Sequence, residues 1–212
     1  MPSPESFPKA HQVTYQYYVG VIHFLEEDYV QAEEHLEFAY NQCLATDQRN
    51  KGLILMYLIP TKMLTKHQLP TNELLGSYPR LKQLFGPVCT AVRRADLAAL
   101  DVALSAGETE FVKRRVYLTL ERARDVAIRN LFRKVFVAGG FEALKEGDTG
   151  LAVRRTRVPL KEFAAALLMA GAEIGNGEGG VDNDEVECVI ANMIYKVCSN
   201  TTELLVSILC QL

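Results

Sequence analysis

The residues best placed to do chemistry in this sequence are cationic. Arg115, Arg122, Arg129 and Arg133 recur at spacings of seven, seven and four residues within the stretch Glu108 to Val137, which contains neither Gly nor Pro. At about 100° per residue the four fall within roughly 40° of one another on a helix. Val116, Leu120, Ala123, Ala127, Leu131 and Val135 mark an apolar stripe along the same stretch. The spacing therefore predicts one long, mostly buried helix carrying a seam of guanidinium groups. Guanidinium offers paired donors and stays charged, which suits it to phosphate oxygens. Lys134, the cluster Arg154, Arg155 and Arg157, and Lys161 follow closely. Arg129, Arg133, Lys134, Arg154, Arg155, Arg157 and Lys161 are the candidate nucleic-acid-binding residues. Arg124 lies inside the apolar arc and is expected to be paired, with Glu121 or with an acid from the preceding helices.

Charge is segregated along the chain. Phe111 to Lys161 holds 13 Lys and Arg against 5 Asp and Glu, a balance of +8. The whole chain carries −3, so the remainder carries −11. That asymmetry suggests one face for a polyanion and an acidic remainder. At 212 residues, with 49% hydrophobic and 23% charged residues, the chain has the composition of a globular protein rather than a disordered one.

Other chemistries find little support. His11, His23, His35 and His67 show no metal-ligand spacing with a second His or a Cys, so no metal or cofactor is expected. The Gly-rich loop Gly175 to Gly180 follows no strand and lacks a P-loop Lys. Asp182 to Glu185 lacks the spacing of a calcium loop. No catalytic residues are assigned and an enzyme is not expected. The five cysteines are odd in number and set in apolar helical patterns. They read as buried thiols in a reducing compartment, with no signal peptide ahead of them and no run as long as a membrane span.

The elements that must position the cations are helices. After a Pro- and Ser-rich N-terminus (1–8), Lys9 to Glu27 and Asp28 to Thr46 read as an antiparallel pair, with Asp28 as N-cap. Gly20 and Ala32 permit close approach, a pattern similar to a tetratricopeptide repeat. A third helix, Asn50 to Lys66, is expected to bend at Pro60. Shorter helices follow at Thr71 to Leu75, Arg80 to Arg93 with an interruption at Gly86-Pro87, and Asp96 to Ala106. Tyr15, Tyr17, Tyr18, Phe132 and Phe136 fall in apolar patterns and are expected in the core rather than stacked on bases.

Past Gly139-Gly140 the texture changes. Leu151 to Val158 reads as a short strand, and Pro159 opens a helix through Gly171. Asp182 caps a further helix to Lys196, with Glu185 completing a capping box. Helix, strand, helix, turn, helix is the order of a winged helix. The recognition helix would start with Asp182, Asp184, Glu185 and Glu187, which repel phosphate, so backbone contact is favoured over base reading. The expected fold is mainly all-α: a right-handed helical-repeat stack (9–137), then a winged-helix subdomain (138–196) with at most a short sheet. An apolar tail, Val197 to Leu212, stands where a wing belongs.

The segments KAHQVTYQYYVG, YVQAEEHLEFAY, NKGLILMYLIPTKMLTKH, RNLFRKV and DEVECVIANMIY, in that order, resemble the PCI domain family. Within it, they resemble the PCI subunits of nuclear transcription-and-mRNA-export complexes. The resemblance covers roughly Phe7 to Lys196. It implies a non-catalytic adaptor whose winged helix meets a large export-scaffold subunit, and whose helical stack is clamped by a small acidic DSS-type subunit. A basic surface would face RNA or DNA with low sequence specificity. It also implies a nuclear, pore-associated location, with a cytoplasmic pool as well, and no membrane insertion. The alternative within the family is a purely architectural subunit of a proteasome-lid-like or signalosome-like assembly that touches no nucleic acid.

Overall fold

A computed structural model describes residues 7–140, 158–172 and 183–199, and among them there are ten helices and no strand. The all-α expectation is met. Two compact units divide the chain: the first comprises Met1–Arg93 and Ala99–Val126, the second Arg94–Ala98 and Ala127–Leu212.

In the first unit, α1 (Lys9–Leu25) and α2 (Tyr29–Gln42) pack as the antiparallel pair the sequence predicts. The Asp28 carboxylate accepts from the Gln31 amide at 3.2 Å, capping α2. Gly20 is where the helices meet most closely: a β-carbon there would lie 2.8 Å from Leu36 Cγ. Ala32, Leu36 and Ala39 are fully buried on the facing side. The opposite side of α1 is open, and Tyr15, Tyr18 and Ile22 are all more than half exposed. Tyr15 and Tyr18 are thus surface residues, not core residues as their periodicity suggests, because no described element covers that stripe. Tyr17 does turn inward against Tyr57, and burial pushes its hydroxyl up to about 12.

Helix α3 (Gln48–Thr65) starts two residues earlier than expected because Asp47, not a later residue, caps it by accepting from the Asn50 amide. It runs through Pro60. Glu33 of α2, almost fully buried, ties the two helices together: Thr65 Oγ1 donates to its Oε2 at 2.7 Å, while Oε1 forms an ion pair with Lys66 Nζ at 2.6 Å. Lys62 donates to Glu37 at 2.7 Å beside them. Helix α4 (Asn72–Gly76) is capped by Thr71.

Helix α5 (Pro79–Arg94) is continuous where Gly86-Pro87 predicts a break. Proline removes one amide and frees the carbonyl of Gln83. Both Gln83 and Pro87 are exposed, so water can take up that carbonyl, while Leu81, Phe85, Val88, Cys89 and Val92 hold the opposite face in the core.

The long helix predicted from Glu108 to Val137 is not one helix. Helix α6 (Leu97–Lys113) passes straight through Gly107, and two short breaks separate it from α7 (Tyr117–Glu121) and α8 (Ala123–Ala138). The first break is a Schellman turn: the Val116 amide donates to Phe111 O and the Arg115 amide to Val112 O, both at 2.9 Å, with Arg115 left-handed at φ 58°. Val116 is buried against this turn. Arg124 donates to Asp101 of α6 at 2.7 Å, so it is paired with an acid of the preceding helices, although its side chain is partly exposed.

In the second unit, the part of α8 from Ala127 onward packs on α9 (Leu160–Met169) through Phe132 and Phe163, whose rings meet edge to face at 5.0 Å. Phe132 is core, as expected; Phe136 is half-buried. Pro159 precedes the first residue of α9, and Gly171, just past the C-cap Ala170, is left-handed at φ 78° and presses against Ala98. The Ala170 carbonyl accepts from the amides of Leu97 and Ala98, satisfying the start of α6. Helix α10 (Asn183–Ser199) buries Val186, Ile190 and Met193 and continues past Lys196, where the sequence suggests a separate tail. Of the predicted strand Leu151 to Val158, residues 151–157 lie outside the described residues and Val158 is not in a strand; the cap Asp182 and residues 200–212 of the tail also lie outside the described residues.

Candidate nucleic-acid interface

The breaks at Arg115 and Arg122 undo the four-residue seam. Arg115 and Arg122 belong to the first unit, Arg129 and Arg133 to the second. Arg122 is already committed: it donates to Glu27 at 2.7 Å and to the Tyr29 hydroxyl at 3.1 Å, and the Glu27 bond holds its guanidinium above the ordinary arginine value.

Arg129 and Arg133 remain together, one turn apart on α8. Taking buried Phe132 as the inward direction, they lie about 60° and 100° around the helix from it. Arg129 is half-buried, and its Nε has no hydrogen-bond partner among the described residues. Burial lowers its pKa, and the Arg133 charge lowers it further. Arg133 is exposed, and no carboxylate among the described residues pairs with either guanidinium. Like charges one turn apart cost a helix about 0.2–0.5 kcal/mol. Among the described residues the pair is an uncompensated positive site.

Lys134 is also at the surface, but its Nζ donates to the Arg94 carbonyl at 2.7 Å. It closes the C-terminus of α5, a role that suits a cation. This contact brings in a residue that sequence reasoning missed. Arg94 is exposed and makes no ion pair among the described residues, and Lys134 bonds to its main chain. Its only signal in the sequence is the Arg93-Arg94 doublet at the end of a helix. Lys161 is exposed on the first turn of α9, about 200° around that helix from Phe163, and so projects away from α8. Arg154, Arg155 and Arg157 lie outside the described residues.

The start of α10 is acidic, with Asp184, Glu185 and Glu187 exposed. Beside it, a groove of about 400 Å³ runs between α9 and α10, lined by Val158, Leu160, Phe163, Ile190, Ala191 and Ile194 with Glu187 at its edge. Among the described residues no cluster of His, Cys, Asp and Glu could hold a metal ion, and no helix is long and apolar enough to cross a membrane. Cys43 and Cys89 are buried free thiols, and burial raises Cys89 to about 12. Cys188 is exposed, contrary to the expectation of a buried thiol, because it lies on the face of α10 opposite Val186 and Ile190.

No protein-family model matches the chain. Individual relatives do. The chain is 54% identical over 196 residues to the protein CSN12 homolog of Neurospora crassa, and 37% identical over 196 residues to that of Schizosaccharomyces pombe. It is 37% identical over 191 residues to PCI domain-containing protein 2 of Danio rerio. These matches take in 90% or more of this chain but only 42% of each relative, so the chain spans less than half the length of the proteins it resembles. Similarity at this level over 90% or more of the chain identifies it as a member of the PCI domain family, alongside the CSN12 homologues and PCI domain-containing protein 2.

Proposed function

We propose that this chain is a non-catalytic adaptor of a nuclear mRNA-export assembly that contacts the backbone of RNA or DNA through the second unit. The Arg129–Arg133 pair supports this reading most directly. Two guanidinium groups are held side by side, one of them half-buried, with no acid among the described residues to balance them. A phosphate bridging them would remove their repulsion and gain charge-assisted hydrogen bonds. In this reading Arg154, Arg155 and Arg157 extend the surface, Lys161 offers a separate phosphate contact on the other face of α9, and residues 138–196 form a winged helix. The acidic start of α10 keeps that helix out of a groove, so contact is through backbone charge and shape, with low sequence preference. A large export-scaffold subunit meets the winged helix, a small acidic DSS-type subunit clamps the helical stack, and the assembly is nuclear and pore-associated.

A single-stranded RNA titration at several salt concentrations tests the reading, with the chain co-expressed with both partner subunits. For single strands each neutralised phosphate contributes a slope of about −0.7 to log K against log salt. The double substitution Arg129→Gln and Arg133→Gln should weaken binding and flatten the slope by about 1.4. A complex that assembles but ignores RNA at low salt refutes it.

A purely architectural PCI subunit is the second reading. The observation favouring it is that Lys134 is used within the fold and Lys161 turns away from α8, leaving a small cationic cluster among the described residues.

A further inference from the structure

The first unit holds a second surface that the nucleic-acid reading does not use. Where the α1–α2 turn meets the α6–α7 turn there is an open cleft of about 450 Å³. Its walls are Phe24, Leu25, Val112, Tyr117 and Leu118, with Arg115 at the rim. Leu25, Val112 and Leu118 are 43%, 55% and 67% exposed, an unusual concentration of large apolar side chains at one place on the surface. The apolar surface continues from the cleft along α1 through Ile22 and Tyr18, one and two turns back from Leu25.

The charges around the cleft are unequal. Glu27, the acid on its wall, is already neutralised by Arg122 at 2.7 Å, and the Tyr29 hydroxyl on the same wall accepts from Arg122. Arg115 has no ion pair or hydrogen-bonded side-chain partner among the described residues and is exposed. The rim therefore carries one free positive charge. Arg115 also occupies the left-handed position of a Schellman turn, where glycine is the unstrained residue. Its backbone is fixed by the two 2.9 Å turn bonds, so the base of the side chain is held at the rim.

We infer that this cleft receives an amphipathic helical segment of another protein, with a bulky apolar side chain seated between Leu25, Val112 and Leu118 and a neighbouring carboxylate on Arg115. An elongated apolar strip ending in a cleft fits a helix whose apolar residues recur every three or four positions. The free guanidinium selects an acid over a base beside that anchor. The site lies wholly in the first unit, so its failure would leave the nucleic-acid reading untouched, and the reverse also holds.

The test uses the full chain, fluorescently labelled, on an array of synthetic helical peptides. Each carries a Leu or Phe anchor with either Glu or Lys one turn away. Peptides with Glu should bind at least tenfold better than those with Lys. Arg115→Gly should remove that preference while raising the melting temperature, since glycine relieves the left-handed residue. This separates lost recognition from lost folding. Leu118→Asp, a change at an exposed site, should abolish binding of the Glu peptides without changing the circular dichroism spectrum. Equal binding of Glu and Lys peptides, or no binding to either, would overturn the inference. So would a dimer in light scattering that Leu118→Asp dissociates, because the occupant would then be a second copy of this chain.

Discussion

Gly107 sits inside α6, where glycine ordinarily weakens a helix, and Gly107→Ala tests whether packing outweighs propensity. Replacing an interior helical glycine with alanine should stabilise by about 1 kcal/mol. At this position the new methyl would lie 2.3 Å from Cε2, 2.8 Å from Cζ and 2.9 Å from Cδ2 of Phe111. Phe111 is fully buried and its ring packs 5.7 Å from that of Phe85, so it has little room to retreat. To reach ordinary contact the ring must move by roughly 1 Å or more. Overpacking of this kind costs about 1–3 kcal/mol. The contact is with a rigid ring in the core, so the upper end applies, and the net effect is about 2 kcal/mol of destabilisation. For a chain of this size that lowers the melting temperature by about 4–8 °C. Thermal and urea denaturation of the wild type, Gly107→Ala, Phe111→Leu and the double variant measure it. The smaller leucine should make room for the methyl, so the double variant should be more stable than the two single effects predict, by more than about 1 kcal/mol. A Gly107→Ala chain that melts higher than wild type would refute the reasoning, since only helix propensity would then be at work.

Three further outcomes follow from the geometry. Glu33→Ala removes a buried carboxylate that accepts from Thr65 and pairs with Lys66, and should cost about 2–3 kcal/mol in urea denaturation; Glu33→Gln, which can still accept from Thr65, should cost less. His35, stacked on His23 with ring centroids 5.4 Å apart and hydrogen-bonded to Gln16, has its pKa lowered first by burial and then by His23, against a raising influence from Glu34. The fold therefore prefers the neutral ring: its contribution is complete above about pH 6.5 and is lost as pH falls below it. The melting temperature should drop between pH 7.5 and 5.5, and less so in His35→Gln; an unchanged drop in that variant would exclude His35 as the cause. Thiol labelling of the native chain, mapped by peptide mass, should modify Cys188 rapidly and Cys89 only on unfolding, because burial keeps Cys89 protonated as well as inaccessible.

The parts of the fold legible in the sequence are those whose helix ends carry polar caps. Asp28, Thr71 and Asp47 each accept from an amide of the first helical turn, and two of these three starts follow from residue type and position alone. Glycine is a poor guide here. Gly20, Gly52, Gly86 and Gly107 all lie within helices, and at Gly20 and Gly107 the missing side chain leaves space for Leu36 and Phe111. Several chain reversals instead use non-glycine residues in the left-handed region: Glu27, His67, Ala95 and Arg115. The turn at Glu27 is betrayed by the Asp28 cap that follows it. The turn at Arg115 has no such marker, because α7 begins at Tyr117 and the residue before it, Val116, provides no side-chain cap. Its stabilisation comes from burying Val116 and Phe111, and apolar residues at those positions fit a continuing helix equally well.

That single unmarked turn alters the functional reading more than any other feature. A continuous helix would align Arg115, Arg122, Arg129 and Arg133 into one polyanion-binding seam about 27 Å long, at 1.5 Å per residue. With the breaks in place, the four arginines have three different situations. Arg122 is neutralised by Glu27, Arg115 stands at the rim of an apolar cleft, and Arg129 and Arg133 form a cluster with no acidic partner among the described residues. A cation paired with a carboxylate has little left to offer a phosphate, because releasing it sacrifices a charge-assisted hydrogen bond. A cation beside exposed leucine and valine is better suited to a protein carrying both an apolar anchor and an acid. The described arginines of the stretch from Phe111 to Lys161 therefore differ in what surrounds them, and substitutions at Arg115 and at Arg129 should fail different assays.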